Sequence, residues 1–240
     1  GVISGTGGLV RRGAGTTTLG GNNTFTGSVL VRDSGTLAVP SITSMGVNQP
    51  LGAGTTAIQL QGGTLEITGG GTYATDRGLE LYSPNNESGT LSVAGTLNLS
   101  GDITGGGSAA TFTKAGVGTV NFSGVGDWNG NLSVSGGTFN LTGGASISGL
   151  GAAAVASGAT LNIDTTQTLE STRLDIASGG TVNLEAGTLR LAGGSLNGGG
   201  SQYSVNQNGT FNWTGGTLAV YSQSGLNLKG STDRSDPATS

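Results

Sequence analysis

Apolar and polar residues alternate with period two along most of this chain, in short runs that open on glycine. The recurring unit is Gly-Thr, then apolar, any, apolar. It occurs at Gly35-Thr36-Leu37-Ala38-Val39, Gly63-Thr64-Leu65-Glu66-Ile67, Gly95-Thr96-Leu97-Asn98-Leu99, Gly137-Thr138-Phe139-Asn140-Leu141 and Gly180-Thr181-Val182-Asn183-Leu184, among others. Each run predicts a short strand with one buried face, and the preceding glycine supplies a turn. Glycine and β-branched residues interrupt every window in which a helix could form.

Spacing converts these strands into an architecture. In the C-terminal half the strand centres fall near Leu161, Leu169, Leu174, Val182, Leu189, Leu196, Val205, Phe211, Leu218 and Leu226. If every third strand stacks, Leu161 meets Val182 after 21 residues, Leu189 meets Phe211 after 22 and Leu196 meets Leu218 after 22. A coil of three short strands and three turns in about 22 residues is the arithmetic of a three-faced parallel β-solenoid, a single-stranded β-helix. The expectation is an all-β rod of about ten or eleven coils, about 50 Å long. A β-sandwich would place its strands every 8 to 12 residues and join them by hairpin dipeptides; the gaps here are shorter and such dipeptides few. The first strand is expected near Val2, one continuous β-helix over residues 1–230, and a polar tail or linker over 231–240.

Composition narrows the chemistry. The chain has 240 residues, 50 of them Gly, with 33% hydrophobic, 5% aromatic and 9% charged, so the core must come from Leu, Val, Ile, Ala and Thr. There is no His and no Cys, which excludes Ser-His-Asp and thiolate catalysis, His-ligated metals and disulfides. The net charge of −4 disfavours nucleic acid and anionic membranes as partners. No apolar run approaches the roughly 20 residues of a membrane-spanning helix. The opening on Gly1 rather than Met reads as a processed or excised segment.

A longer repeat overlies the short one. Leu9-Val10-Arg11-Arg12-Gly13-Ala14-Gly15-Thr16 matches Phe112-Thr113-Lys114-Ala115-Gly116-Val117-Gly118-Thr119 at an offset of 103, which also carries Phe25 to Trp128 and Val31 to Val134. Two similar units, 1–103 and 104–230, are expected on one rod. The run from Gly5 through Arg11-Arg12-Gly13-Ala14-Gly15-Thr16 and Asn23-Thr24-Phe25-Thr26-Gly27 to Gly35-Thr36-Leu37 resembles the autotransporter-associated β-strand repeat. That family's pattern is a basic residue before Gly-x-Gly-Thr, then Asn-Thr-aromatic-Thr-Gly, then Gly-Thr-Leu. The second unit departs from it at Asp127-Trp128-Asn129-Gly130. The resemblance implies a right-handed parallel β-helix on a bacterial cell surface, part of a large exported passenger, with roles in passenger transport, adhesion or biofilm. It implies no catalytic residues, and the chain shows no C-terminal barrel pattern.

The candidate surface feature is an outward ladder. If Leu97, Val120, Phe139, Leu161 and Val182 point inward, then Thr96 and Asn98, Thr119 and Asn121, Thr138 and Asn140, Thr160 and Asn162, and Thr181 and Asn183 point outward. Such stacked side chains hydrogen-bond along a rod; they stabilise it and keep it soluble, or offer a flat array to ice or a polysaccharide. Asp164, Glu170, Asp175 and Glu185 are the densest acids, with Arg173 and Arg190 nearby, but form no Asp-Asp or Asp-x-Asp pair. The calcium nonapeptide is absent; Asp102 and Asp127 stand alone. Arg11, Arg12 and Lys114 read as solvated charges at turns, with anionic glycans as the sharper alternative. Phe25 and Trp128 read as packing aromatics rather than a sugar platform. The glycine triplets at 69–71, 105–107 and 198–200 read as turns. The expected function is a non-enzymatic extracellular rod, adhesive or structural. The alternatives are a fibril subunit stacking end to end and an ice- or carbohydrate-binding module. The expected partners are the chain itself or surface glycans, with no nucleic acid, no membrane insertion of this segment and no cofactor or metal.

Overall fold

The structure is a computed structural model and describes residues 1–82, 87–191, 203–207, 209–220 and 226–229. Every named element is a strand, and all paired strands run parallel, one coil stacked on the next about 22 residues later. The chain is an all-β parallel β-solenoid with three faces.

The first face rises from Leu9–Arg11 through Val29–Arg32, Ile58–Gln61, Leu79–Leu81, Ile103–Gly105, Val125–Asp127 and Ser146–Leu150. The second is a ten-stranded sheet from Gly15–Thr18 through Gly35–Val39, Thr64–Ile67, Gly89–Val93, Thr111–Ala115 and Asn131–Val134 to Leu226–Lys229. The third starts later, at Thr72–Thr75, and continues through Thr96–Leu99, Thr119–Phe122 and Thr138–Gly143. The strands Thr160–Ser171 and Thr181–Leu191 each turn a corner. Their first halves extend the third face and their second halves the first, which joins both faces into one 15-stranded sheet.

Alternation places one residue in two inside. Leu97, Val120, Phe139, Leu161 and Val182 stack in register as a buried column of the third face. Phe112 sits 5.6 Å from Trp128 and 6.3 Å from Phe139, and Phe139 stacks on Phe122 at 6.0 Å, centroid to centroid. Four aromatics thus form one cluster in the middle of the rod, at spacings that favour tilted or offset pairs.

Two expectations need correction. The first strand is Leu9–Arg11, not near Val2. Residues 3–5 still dock on the coil above: Thr24 N donates to Ile3 O at 2.9 Å and Thr26 N to Gly5 O at 3.0 Å. Near the C-terminus Phe211 stacks on Val182 and Leu218 on Leu189, not Phe211 on Leu189. The coil from Asn183 to Asn212 takes 29 residues instead of 22, so counting every third strand slips there. Leu196, the triplet 198–200 and the tail 231–240 lie outside the described residues.

The 103-residue offset is not a whole number of coils. It carries Leu9–Arg11 on the first face to Thr111–Ala115 on the second, and Gly15–Thr18 on the second to Thr119–Phe122 on the third. The two copies are displaced by one face around the rod.

Candidate functional site

All ten residues expected in the outward ladder stand in register on the third face. Thr96, Thr119, Thr138, Thr160 and Thr181 form one row, and Asn98, Asn121, Asn140, Asn162 and Asn183 the other. The structure extends both: Thr72 precedes the threonine row, and Thr210 and Asn212 follow the two rows. The asparagine row is hydrogen-bonded throughout. Asn121 Nδ2 donates to Asn98 Oδ1 at 2.8 Å, Asn140 to Asn121 at 2.7 Å, Asn162 to Asn140 at 2.7 Å, Asn183 to Asn162 at 2.7 Å and Asn212 to Asn183 at 2.8 Å. The row begins at Asn98 because Ala74 stands opposite it one coil below. Each amide carries two N–H donors and two acceptor lone pairs, so each inner rung keeps one of each for a molecule outside.

The corner that leads into the strip is tight. The residue before each threonine is small: Gly71, Gly95, Gly118, Gly137, Ala159, Gly180 and Gly209. At Gly118 a Cβ would lie 2.1 Å from the carbonyl oxygen of Gly95 in the coil below, so no larger residue fits that corner. Both central rows are uncharged, whereas the first face carries Glu80, Asp127, Glu170 and Arg190 and the second Glu66 and Asp175.

The charge reading is overturned at Lys114. This residue is fully buried. It stands in register between Leu91 and Val134 in an inward column of the second face. Its Nζ donates to Gly116 O at 3.0 Å, to Gly136 O at 2.7 Å and to Gly118 O. Three ammonium donors thus meet three carbonyls from two successive coils. Burial lowers its pKa from 10.5 to about 8. The physical reason was present in the sequence: Lys114 shares the period-two parity of Phe112, so alternation puts both inside. Arg11, the matching residue of the first unit, occupies the inward column of Val31 and is half-buried, its Nη2 donating to Ala14 O at 2.9 Å and to Gly15 O. In both units the base ties down the carbonyls of its own Gly-x-Gly corner. Arg12 alone behaves as a solvated charge, exposed and 3.0 Å from Asp33.

The remaining candidates fall where packing puts them. Phe25 and Trp128 are buried, and Trp128 Nε1 donates to Asn131 O at 2.9 Å. Glu170 pairs with Arg190 at 3.2 Å on the first face and Asp175 with Arg173 at 2.6 Å on the second, while Asp164 lies at the edge of the third. Glu185 lies beside Asp164 on the next coil, so two of the four acids are neighbours, while Glu170 and Asp175 sit on other faces. Asp102 Oδ1 accepts from Val125 N at 2.8 Å, an inter-coil tie. Among the described residues no three metal-binding side chains cluster.

Sequence reasoning missed a polar knot where the third face is absent. Asn23 and Gln49 form an antiparallel bridge, Asn23 Nδ2 donates to Pro50 O at 2.7 Å, and Gln49 Oε1 accepts from Thr43 N at 2.8 Å. Arg77, fully buried, donates from Nε to Thr56 O at 2.8 Å and from Nη1 to Leu51 O at 2.9 Å. Burial lowers its pKa. These groups fasten the 40–57 excursion to the rod. No local motif announces them: the carbonyls that Asn23 and Arg77 bond lie more than twenty residues away, and Gln49 bonds the backbone of its own excursion.

Against this geometry, two segments, residues 9–39 and 112–141, match the passenger-associated-transport-repeat model. They start 103 residues apart and contain the two Gly-x-Gly corners. These two segments are autotransporter passenger-type repeats. The chain is 32% identical over 184 residues to the adhesin BmaC autotransporter of Brucella suis biovar 1 (strain 1330), an alignment covering 75% of this chain and 5% of that protein. The chain therefore spans about a twentieth of the length of that relative. No solved structure matches it. Each passenger repeat here consists of an inward base, a Gly-x-Gly corner tied to it, a buried aromatic and a closing Gly-Thr strand.

Proposed function

We propose that this passenger-repeat segment is a non-enzymatic adhesive rod, displayed on or released from a bacterial surface as part of a larger exported protein. The observation that carries the reading is its 32% identity over 184 residues to an autotransporter adhesin. The fold supports it physically. Each coil satisfies its backbone on the coils above and below and buries one apolar column per inward position, so the scaffold is stiff and needs no cofactor. A stiff rod displays a surface at low entropic cost, which favours contact by many weak interactions.

The test is adhesion of beads coated with the purified chain to cultured host cells and to extracellular-matrix layers, under flow. Retention above beads coated with an unrelated solenoid is the expected result. Equal retention removes the adhesive reading, and turnover of any glycan offered to the chain would replace it with an enzymatic one.

A further inference from the structure

We propose that the third face is the adhesive contact, and that its ligand is an uncharged, extended β-linked polysaccharide lying along the rod. This inference rests on the adhesive reading above and assigns it a surface and a ligand class.

Four observations lead to it. First, the threonine row runs without a break from Thr72 to Thr210 and the asparagine row from Asn98 to Asn212. Rungs follow at about 4.8 Å, which is comparable to the length of one pyranose unit in an extended chain, and the two rows lie about 6.6 Å apart. A flat ribbon-like chain therefore stays close to the rungs over a few sugars at a time, whereas a coiled α-glucan turns away from the strip.

Second, the ladder fixes the asparagine side chains before any ligand arrives. Hydrogen bonds of 2.7–2.8 Å hold each amide, so little rotamer entropy remains to be lost on binding. The remaining N–H and lone pair of each inner amide, with the threonine hydroxyl beside it, offer both donors and acceptors. Sugar hydroxyls need both.

Third, charge selects the class. The two rows contain only Thr, Asn and Ala74, while both other faces carry charged residues in their outward rows. Asp164 follows at the edge, in register with Thr142, and Glu185 lies exposed one coil on. A polyanion would meet these acids and the net charge of −4. A neutral polymer meets neither obstacle.

Fourth, size argues against a second protein. A strip of about 29 Å by about 10 Å offers some 300 Å², well below the roughly 800 Å² per partner of a stable protein interface. A slender polymer that repeats the same small contact along its length fits it, and summed weak contacts supply the affinity.

The experiment is sedimentation of the purified chain with cellulose, chitin or insoluble β-1,4-mannan, with alginate beads and starch granules as comparison, at low and high salt. Retention on at least one of the first three, little on the last two, and no loss at high salt is expected. The double variant Thr119→Lys, Thr160→Lys is expected to lose at least tenfold, and Thr64→Lys, Thr90→Lys on the second face to bind as the parent does. Circular dichroism melts check that both are folded. Retention by the third-face variant, loss by both variants, or no retention of the parent overturns the proposal. So does ice-shaping by the parent, or a concentration-dependent dimer that the third-face variant abolishes. If bead adhesion to cells survives in the third-face variant, the adhesive reading stands and this assignment falls. If parent beads adhere to nothing, the adhesive reading itself falls.

Discussion

The Lys114 ammonium donates to the Gly136 carbonyl of the next coil at 2.7 Å. A cation whose charge alone argues for water is thus a tie between two turns of the rod. Replacing it by methionine keeps the stem and leaves three carbonyls short of a donor. Lys114→Met is expected to cost about 2–4 kcal/mol, read as a lower urea midpoint at unchanged slope. Arg12→Ala, which breaks an exposed pair with Asp33, is expected to cost less than about 1 kcal/mol.

The same tie gives a pH signature. Burial lowers Lys114 from 10.5 to about 8, so the folded chain gives up this proton before the unfolded chain does. Between those values the unfolded state holds more protons, and the lysine's contribution to stability rises with pH. Below about 8 both states are protonated and the contribution is flat. The difference in melting temperature between the parent and Lys114→Met is therefore expected to widen from pH 7.5 to pH 10. A gap that narrows over that range would show that the three carbonyls hold the proton more strongly than burial expels it.

An inner rung of the amide ladder should matter more than an end rung. Asn140 donates to Asn121 and accepts from Asn162, whereas Asn98 only accepts. Asn140→Ala is expected to cost about 1–2 kcal/mol and Asn98→Ala about half of that. Because a solenoid opens in local units, hydrogen exchange of the flanking strands is the measurement. Equal effects at both positions would show that the ladder is not cooperative along the rod.

The two tryptophans report opposite environments. Trp128 is fully buried, and Trp213 is 55% exposed. Emission of Trp213→Phe is expected to be blue-shifted and resistant to iodide, that of Trp128→Phe red-shifted and quenched. Trp128→Ala is expected to cost about 3–5 kcal/mol.

Much of the fold was legible in the sequence, because a solenoid is local arithmetic. Period-two alternation fixed which of Leu97 and Asn98 faces inward, and the regular spacing fixed that Asn98 meets Asn121 and then Asn140. The arithmetic failed where a coil is longer. The 29-residue step from Asn183 to Asn212 moved Phe211 onto Val182 and Leu218 onto Leu189, since nothing in a strand pattern states how much chain a corner holds. At Lys114 charge and parity point in opposite directions. Its charge was weighed and its parity was not, although the carbonyl cradle that accepts the charge consists of glycine backbone that a residue list does not display. Arg77 was illegible for the same reason: its acceptors, Leu51 O and Thr56 O, are defined only once the 40–57 excursion is folded back.

The one-face displacement between the two passenger repeats has a mechanical consequence. The corner at Gly13–Gly15 joins the first and second faces, and the corner at Gly116–Gly118 joins the second and third. Both corners border the second face, one on each edge, so a flat substratum laid against that face meets both repeats, whereas one laid against the first or the third face meets a single repeat. They stand like the two rails of a track: a partner that grips both has to bridge the width of the second face and reach along the rod from one repeat to the next.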